Sequence, residues 1–145
     1  MKYIFPCNIK PDEEENGWGF VVSFPDIYGA NTGGKTFKES IILAEDCMVV
    51  ALSAYIDLGH ELPVPSPFQD GQELLTVQPV IAAQLDLYNA MREQGISRAD
   101  LAQRLDVSSD DADRLLSLDY CTPIAEVIKA LRTLGCELAA AEQVA

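Results

Sequence analysis

The stretch Ile96-Ser97-Arg98-Ala99-Asp100-Leu101-Ala102-Gln103-Arg104-Leu105-Asp106-Val107-Ser108-Ser109-Asp110-Asp111-Ala112-Asp113-Arg114-Leu115-Leu116 decides the fold of the second half of this chain. Ser97-Arg98-Ala99-Asp100 starts a helix in the manner of a capping box. The serine oxygen accepts a backbone N–H, and the carboxylate three residues on reaches back. Leu101, Ala102 and Leu105 then recur at helical spacing and form an inward face. Asp106 stands where a turn of this kind usually has glycine, and aspartate tolerates the left-handed region better than most residues. Ser108 caps a second helix, with Asp111 three residues on and Ala112, Leu115 and Leu116 as its buried side. The whole reads as a helix-turn-helix: an amphipathic helix, a three-residue turn and a second helix.

Motifs of this kind dock on DNA with the second helix in the major groove. Aligned on phage-repressor-type motifs, the base-contacting positions fall on Ser109, Asp110 and Arg114. Arg114 is suited to reading guanine with two hydrogen bonds. Ser108 and Ser109 suit a phosphate at a helix N-terminus. Arg98, Gln103 and Arg104 complete the candidate DNA-binding set. The same helix carries Asp110, Asp111 and Asp113, which repel phosphate. Asp110 and Asp111 also suit the positive end of the helix dipole; Asp113 has no such local reason. A generic helical hairpin or dimerisation domain is the plainer alternative.

Working outward, residues 80–94 place Ile81, Leu85, Leu87, Tyr88 and Met91 on a helix that Gly95 ends. Pro123 opens a last helix over residues 124–134, with Val127, Ile128, Leu131 and Leu134 as its stripe. Gly135 closes it, and Glu137-Leu138 leads into an alanine-rich tail. Toward the N-terminus the pattern changes. Residues 1–9, 18–24 and 28–32 read as strands, rich in β-branched and aromatic residues. Asn16-Gly17 is a turn signal after the acidic run Asp12-Glu13-Glu14-Glu15. Thr36-Phe37-Lys38-Glu39 is a second capping box. The helix behind it has Phe37, Ile41, Met48, Leu52 and Tyr55 at helical spacing, with Ala44, Ala51 and Ile56 nearby. Gly59 stops it through a left-handed conformation. Residues 73–78 return as a fourth strand. The expected fold class is α+β: a β-β-β-α-β domain over residues 1–79, then an all-α helix-turn-helix domain over residues 80–145. The first domain resembles part of a ribonuclease H-like fold.

Composition bounds the chemistry. The chain has 145 residues, is 48% apolar and carries a net charge of −13. Residues 1–79 hold 4 Lys and Arg against 12 Asp and Glu, net −8; residues 80–145 hold 6 against 11, net −5. An acidic chain attracts a cationic partner, and the first half is the stronger acceptor. No apolar run reaches the roughly 20 residues of a membrane span, and the N-terminus lacks the pattern of a secretory signal. A cytoplasmic location without membrane contact is expected. His60 is the single histidine and reads as a solvated loop residue. Cys7, Cys47, Cys121 and Cys136 lie far apart, so no zinc-type grouping arises, and Cys47 and Cys136 read as small core residues. Gly33-Gly34-Lys35-Thr36 lacks the upstream glycine of a P-loop. The candidate strands carry no set of inward carboxylates for two-metal hydrolysis. The reading is therefore a non-enzyme without cofactor or metal.

The whole chain resembles the HicB antitoxins with a C-terminal helix-turn-helix. The carrying residues are Gly19 to Ile27, Gly34 with Thr36-Phe37-Lys38-Glu39-Ser40, and Glu61-Leu62-Pro63-Val64-Pro65-Ser66-Pro67. In the second half they are Leu101-Ala102-Gln103-Arg104-Leu105, Arg114-Leu115-Leu116, Ala130-Leu131 and Leu134-Gly135-Cys136-Glu137-Leu138. The resemblance implies a basic partner toxin, HicA, a messenger-RNA interferase with a catalytic histidine. It further implies a degraded ribonuclease H-like N-terminal domain that blocks this toxin. The C-terminal domain would dimerise on operator DNA and repress the operon, with a tetramer allowed through the sheet edges. Charge and loop position single out Glu13, Glu14, Glu15, Asp26 and Glu39 as toxin-binding residues. Relatives usually present basic or amide residues where Ser109, Asp110 and Asp113 stand. A stand-alone transcriptional regulator with an N-terminal sensing or oligomerisation domain is the second reading, and an enzyme with a ribonuclease H-like site the third.

Overall fold

The computed structural model describes residues 3–12 and 19–136. They form two compact units, Met1–Val77 and Gln78–Ala145. The first holds β1 (Ile4–Pro11), β2 (Phe20–Ser23), β3 (Asn31–Gly34), α1 (Phe37–Asp57) and β4 (Glu73–Thr76). All pairings are antiparallel, in the spatial order β3-β2-β1-β4. The class is α+β.

β1 is shared end to end between two neighbours. Its first half pairs with β4, from Ile4 opposite Thr76 to Cys7 opposite Glu73. Its second half pairs with β2, from Asn8 opposite Ser23 to Pro11 opposite Phe20. This division accommodates a proline inside a central strand. Val77 N–H donates to the Tyr3 carbonyl, so alternate residues from Tyr3 onward exchange bonds with β4. The Pro6 nitrogen faces the other side, where β2 has no pair for it, and its missing N–H costs no ladder bond.

One sheet face is covered by α1. The buried stripe is Ser40, Ala44, Met48, Leu52 and Ile56, every fourth residue. Phe37, expected inside, is 43% exposed and instead meets Phe20 edge-on at 6.0 Å. Ser40 takes the inner position because the sheet comes close there. A Cβ on Gly34 would lie 2.7 Å from Ser40 Oγ and 2.8 Å from its nitrogen. Thr36 caps the helix by accepting from Glu39 N–H, as its sequence suggests. The Glu39 carboxylate reaches one residue further back than expected, to Lys35 N–H at 3.4 Å. At the other end Gly59 has φ of 71°, and His60 N–H closes on the Tyr55 carbonyl.

The third strand is a correction to the sequence reading. It begins at Asn31, not residue 28, because Ile27–Ala30 closes a turn with Gly29 at φ of 79°. Trp18 and Asn16-Gly17 lie outside the described residues. Cys7 is fully buried, whereas Cys47 and Cys136, read as core residues, are only half-buried.

The second unit is α2 (Pro79–Gln94), α3 (Arg98–Leu105), α4 (Ser109–Leu115) and α5 (Ile124–Thr133). Leu101, Ala112, Leu115, Val127 and Leu131 are buried in it; Leu105 is half-buried. Two glutamines organise the ends. Gln84, 1% exposed, donates to the carbonyls of Leu115 and Ser117 at 3.1 and 3.0 Å. Gln94 donates to the Leu134 carbonyl at 2.9 Å. Carbonyls at a helix C-terminus lack partners in their own helix, and these amides supply them. The tail from Glu137 onward lies outside the described residues.

Candidate functional site

The surface built by α3 and α4 rests on local hydrogen bonds that the sequence specifies. Both halves of the Ser97–Asp100 capping box form, at 3.0 and 3.1 Å. Bonds to the backbone and side chain of Ser97 hold the Asp100 carboxyl below its ordinary range. Asp106 ends α3 in the left-handed region at φ of 56° and ψ of 48°. Ser108 then caps α4 by accepting from Asp111 N–H at 3.1 Å.

Two of the three arginines on this surface, Arg98 and Arg114, are engaged inside the chain. Arg98, at the start of α3, meets Asp113 of α4 at 3.1 Å. Arg114 meets Asp111 at 3.3 Å and lies over the Tyr120 ring at 5.3 Å. Both ion pairs are about half exposed, where such pairs contribute about 0.2–1 kcal/mol and exchange readily. Gln103, Arg104, Ser109 and Asp110 are exposed on the same two helices. Asp113, without a local reason in the sequence, thus bridges to a residue 15 positions earlier. Thr122 Oγ donates to the Arg114 carbonyl at 3.0 Å and fixes the segment that carries Tyr120. Tyr120 and Cys121 border an open cleft of about 510 Å³ between α4 and the start of α5, with Val107 and Lys129 across it. Sequence reasoning missed Tyr120; an aromatic beside a helix end was the available signal.

In the first unit, Asp26 and Glu39 both hold backbone. One Asp26 oxygen accepts from the Ser66 N–H and hydroxyl, each at 2.9 Å. Glu39 accepts from Lys35 N–H. The pair therefore fixes the connector 63–67 and the start of α1. Glu13, Glu14 and Glu15 lie outside the described residues. Among the described residues no group of three or more His, Cys, Asp or Glu is placed to hold a metal ion. No described helix is long and apolar enough to cross a membrane.

The chain combines an antiparallel sheet backed by one helix with a small all-helical unit, and similarity to known proteins defines its class. Residues 4–84 match the family described as the HicB-like antitoxin of bacterial toxin-antitoxin systems. Antitoxin HicB 2 of Photorhabdus laumondii is 36% identical over 130 residues, 90% of this chain and 91% of that protein. Antitoxin HicB of Escherichia coli K12 is 31% identical over 134 residues, 92% of this chain and 95% of that protein. Antitoxin HicB of Pseudomonas fluorescens is 32% identical over 125 residues, 86% and 84% of the two chains. The chain belongs to the HicB-like antitoxin family. Each of these alignments is longer than the first unit, so the similarity reaches into the second unit as well.

Proposed function

We propose that this antitoxin neutralises a HicA-like messenger-RNA interferase through residues 1–79 and represses its own operon through residues 80–145. Its family membership carries the first half of this reading, and the charge of the chain supports it. An RNA-cleaving partner must hold a polyanion and is therefore cationic; the net charge here is −13. The sheet with one covering helix acts as a degraded ribonuclease H-like domain that occludes the toxin rather than cutting RNA. The two capped helices on either side of Asp106 act as a helix-turn-helix, with α4 as the reading helix of a homodimer on operator DNA.

The toxin half is tested by co-purification with the product of the neighbouring reading frame, which on this reading is a small basic protein. A stable complex at low salt that weakens as salt rises is expected. Reversing Glu13, Glu14 and Glu15 to lysine should weaken it and flatten its salt dependence; unchanged binding would remove that run from the contact.

A second reading of residues 80–145 has a specific observation behind it. With Arg98 on Asp113 and Arg114 on Asp111, and three arginines against four aspartates in α3 and α4, the surface presents no net positive charge. The unit would then serve dimerisation alone. Operator shift assays with the purified complex separate the two: retarded DNA favours repression, and a dimer that never retards it favours the second reading.

A further inference from the structure

Large apolar side chains held in the open mark a contact surface when neighbouring, ordered segments bring several of them to one region; scattered singly they are ordinary. Burying them releases water at little further ordering cost. Tyr28 is 93% exposed, Val64 78% and Leu58 69%, the highest values among the described large apolar residues. None of the three sits on loose chain. Tyr28 lies between Ile27 and Ala30, each 1% exposed. Its loop is closed by Ala30 N–H to the Ile27 carbonyl and Phe24 N–H to the Ala30 carbonyl. Its own N–H donates to the Tyr55 hydroxyl at 3.0 Å. Val64 stands between Pro63 and Pro65, whose rings fix φ, two residues after buried Leu62. The bonds from Ser66 to Asp26 tie the Val64 segment to the Tyr28 loop. Leu58 caps α1, three residues beyond Tyr55. Three anchors are thus carried by adjoining, pre-ordered segments of the first unit.

The charge around them selects the partner. No lysine or arginine occurs between Lys10 and Lys35, or between Lys38 and Arg92. Asp57 and Glu61 flank the anchors and are exposed. A cationic surface with an apolar recess fits this edge, and a second copy of so acidic a chain fits it poorly.

We infer that Tyr28, Val64 and Leu58 form the apolar centre of the surface that grips the basic toxin, with Asp57 and Glu61 as its acidic rim. This rests on the antitoxin reading above and adds the site. Asp26 acts there as a positioning residue, holding Ser66.

The test uses this whole 145-residue chain and the purified product of the neighbouring reading frame, which the antitoxin reading requires to be the basic toxin. Tyr28→Ala and Val64→Ser should each weaken binding about 30-fold, the size of a hot-spot loss, mainly through faster dissociation. Thermal melting should not move, because both side chains touch little of the free protein. If the double variant binds as the unsubstituted chain does, the patch is wrong and the antitoxin reading stands. If the unsubstituted chain fails to bind, that reading itself falls, and the site with it. Lost self-association in sedimentation with toxin binding intact would assign the patch to a second copy and overturn the proposal.

Discussion

Asp106 holds φ of 56°, a backbone region that costs an L-residue roughly 1–2 kcal/mol. Aspartate reduces that cost by bonding locally, and glycine avoids it. Asp106→Gly should therefore leave the melting temperature unchanged or raised. Asp106→Val should lower stability by about 1–2 kcal/mol in denaturant titration. Cys7 illustrates a different residue-level effect. Burial, with the Glu73 carboxylate beside it, pushes its thiol up to about 11. At pH 8 it stays protonated and enclosed, whereas Cys121 is exposed. A thiol reagent should modify Cys121 first and reach Cys7 only on unfolding. Because the folded-state value is the raised one, the stability tied to Cys7 is fully present below pH 9. It is lost as pH climbs toward 11, so melting temperature should fall over that interval.

At the scale of elements, the close contact of β3 with α1 is the sensitive joint. Gly34 leaves no room for a Cβ beside Ser40, and the obstructing atoms include backbone. Gly34→Ala should separate sheet and helix and cost about 1–3 kcal/mol, the range of overpacked cores, read by calorimetry. The serine within an apolar stripe and the glycine pair before a capping threonine were both visible in the sequence. That they meet was not, because the facing of helix on sheet follows from packing. Gln84 is similar. It interrupts an apolar run, and its role appears only when the end of α4 arrives 31 residues later with carbonyls to satisfy.

At the scale of the whole molecule, the acidity and the helix-turn-helix reading meet in two ion pairs. Asp111→Asn with Asp113→Asn releases Arg114 and Arg98 while leaving the Ser97 and Ser108 caps in place. If α4 reads DNA, this double variant should bind operator more tightly. Its salt dependence should steepen by about two units of slope, since each new phosphate contact adds about 0.9. Asp110→Asn, which frees no arginine, should raise affinity without that steepening. The measurement is a shift assay at several salt concentrations. In an Arg98→Ala background the Asp113 substitution should lose its share of the effect.

What the sequence alone determined is what hydrogen bonds of three or four residues' reach can specify. The caps at Thr36, Ser97 and Ser108 are of this kind, as are the left-handed stop at Asp106, the stops at Gly59 and Gly95, and the α+β order. These interactions are local, so the residues that make them adjoin in the chain. Tertiary structure decided the rest: the split pairing that admits Pro6, the inward turn of Ser40 in place of Phe37, and Arg98 as the partner of Asp113. It also ties the loops of Tyr28 and Val64 through Asp26 and Ser66, 40 residues apart. Partners at such separations are selected by packing, which brings many segments together at once, and no local pattern encodes that choice.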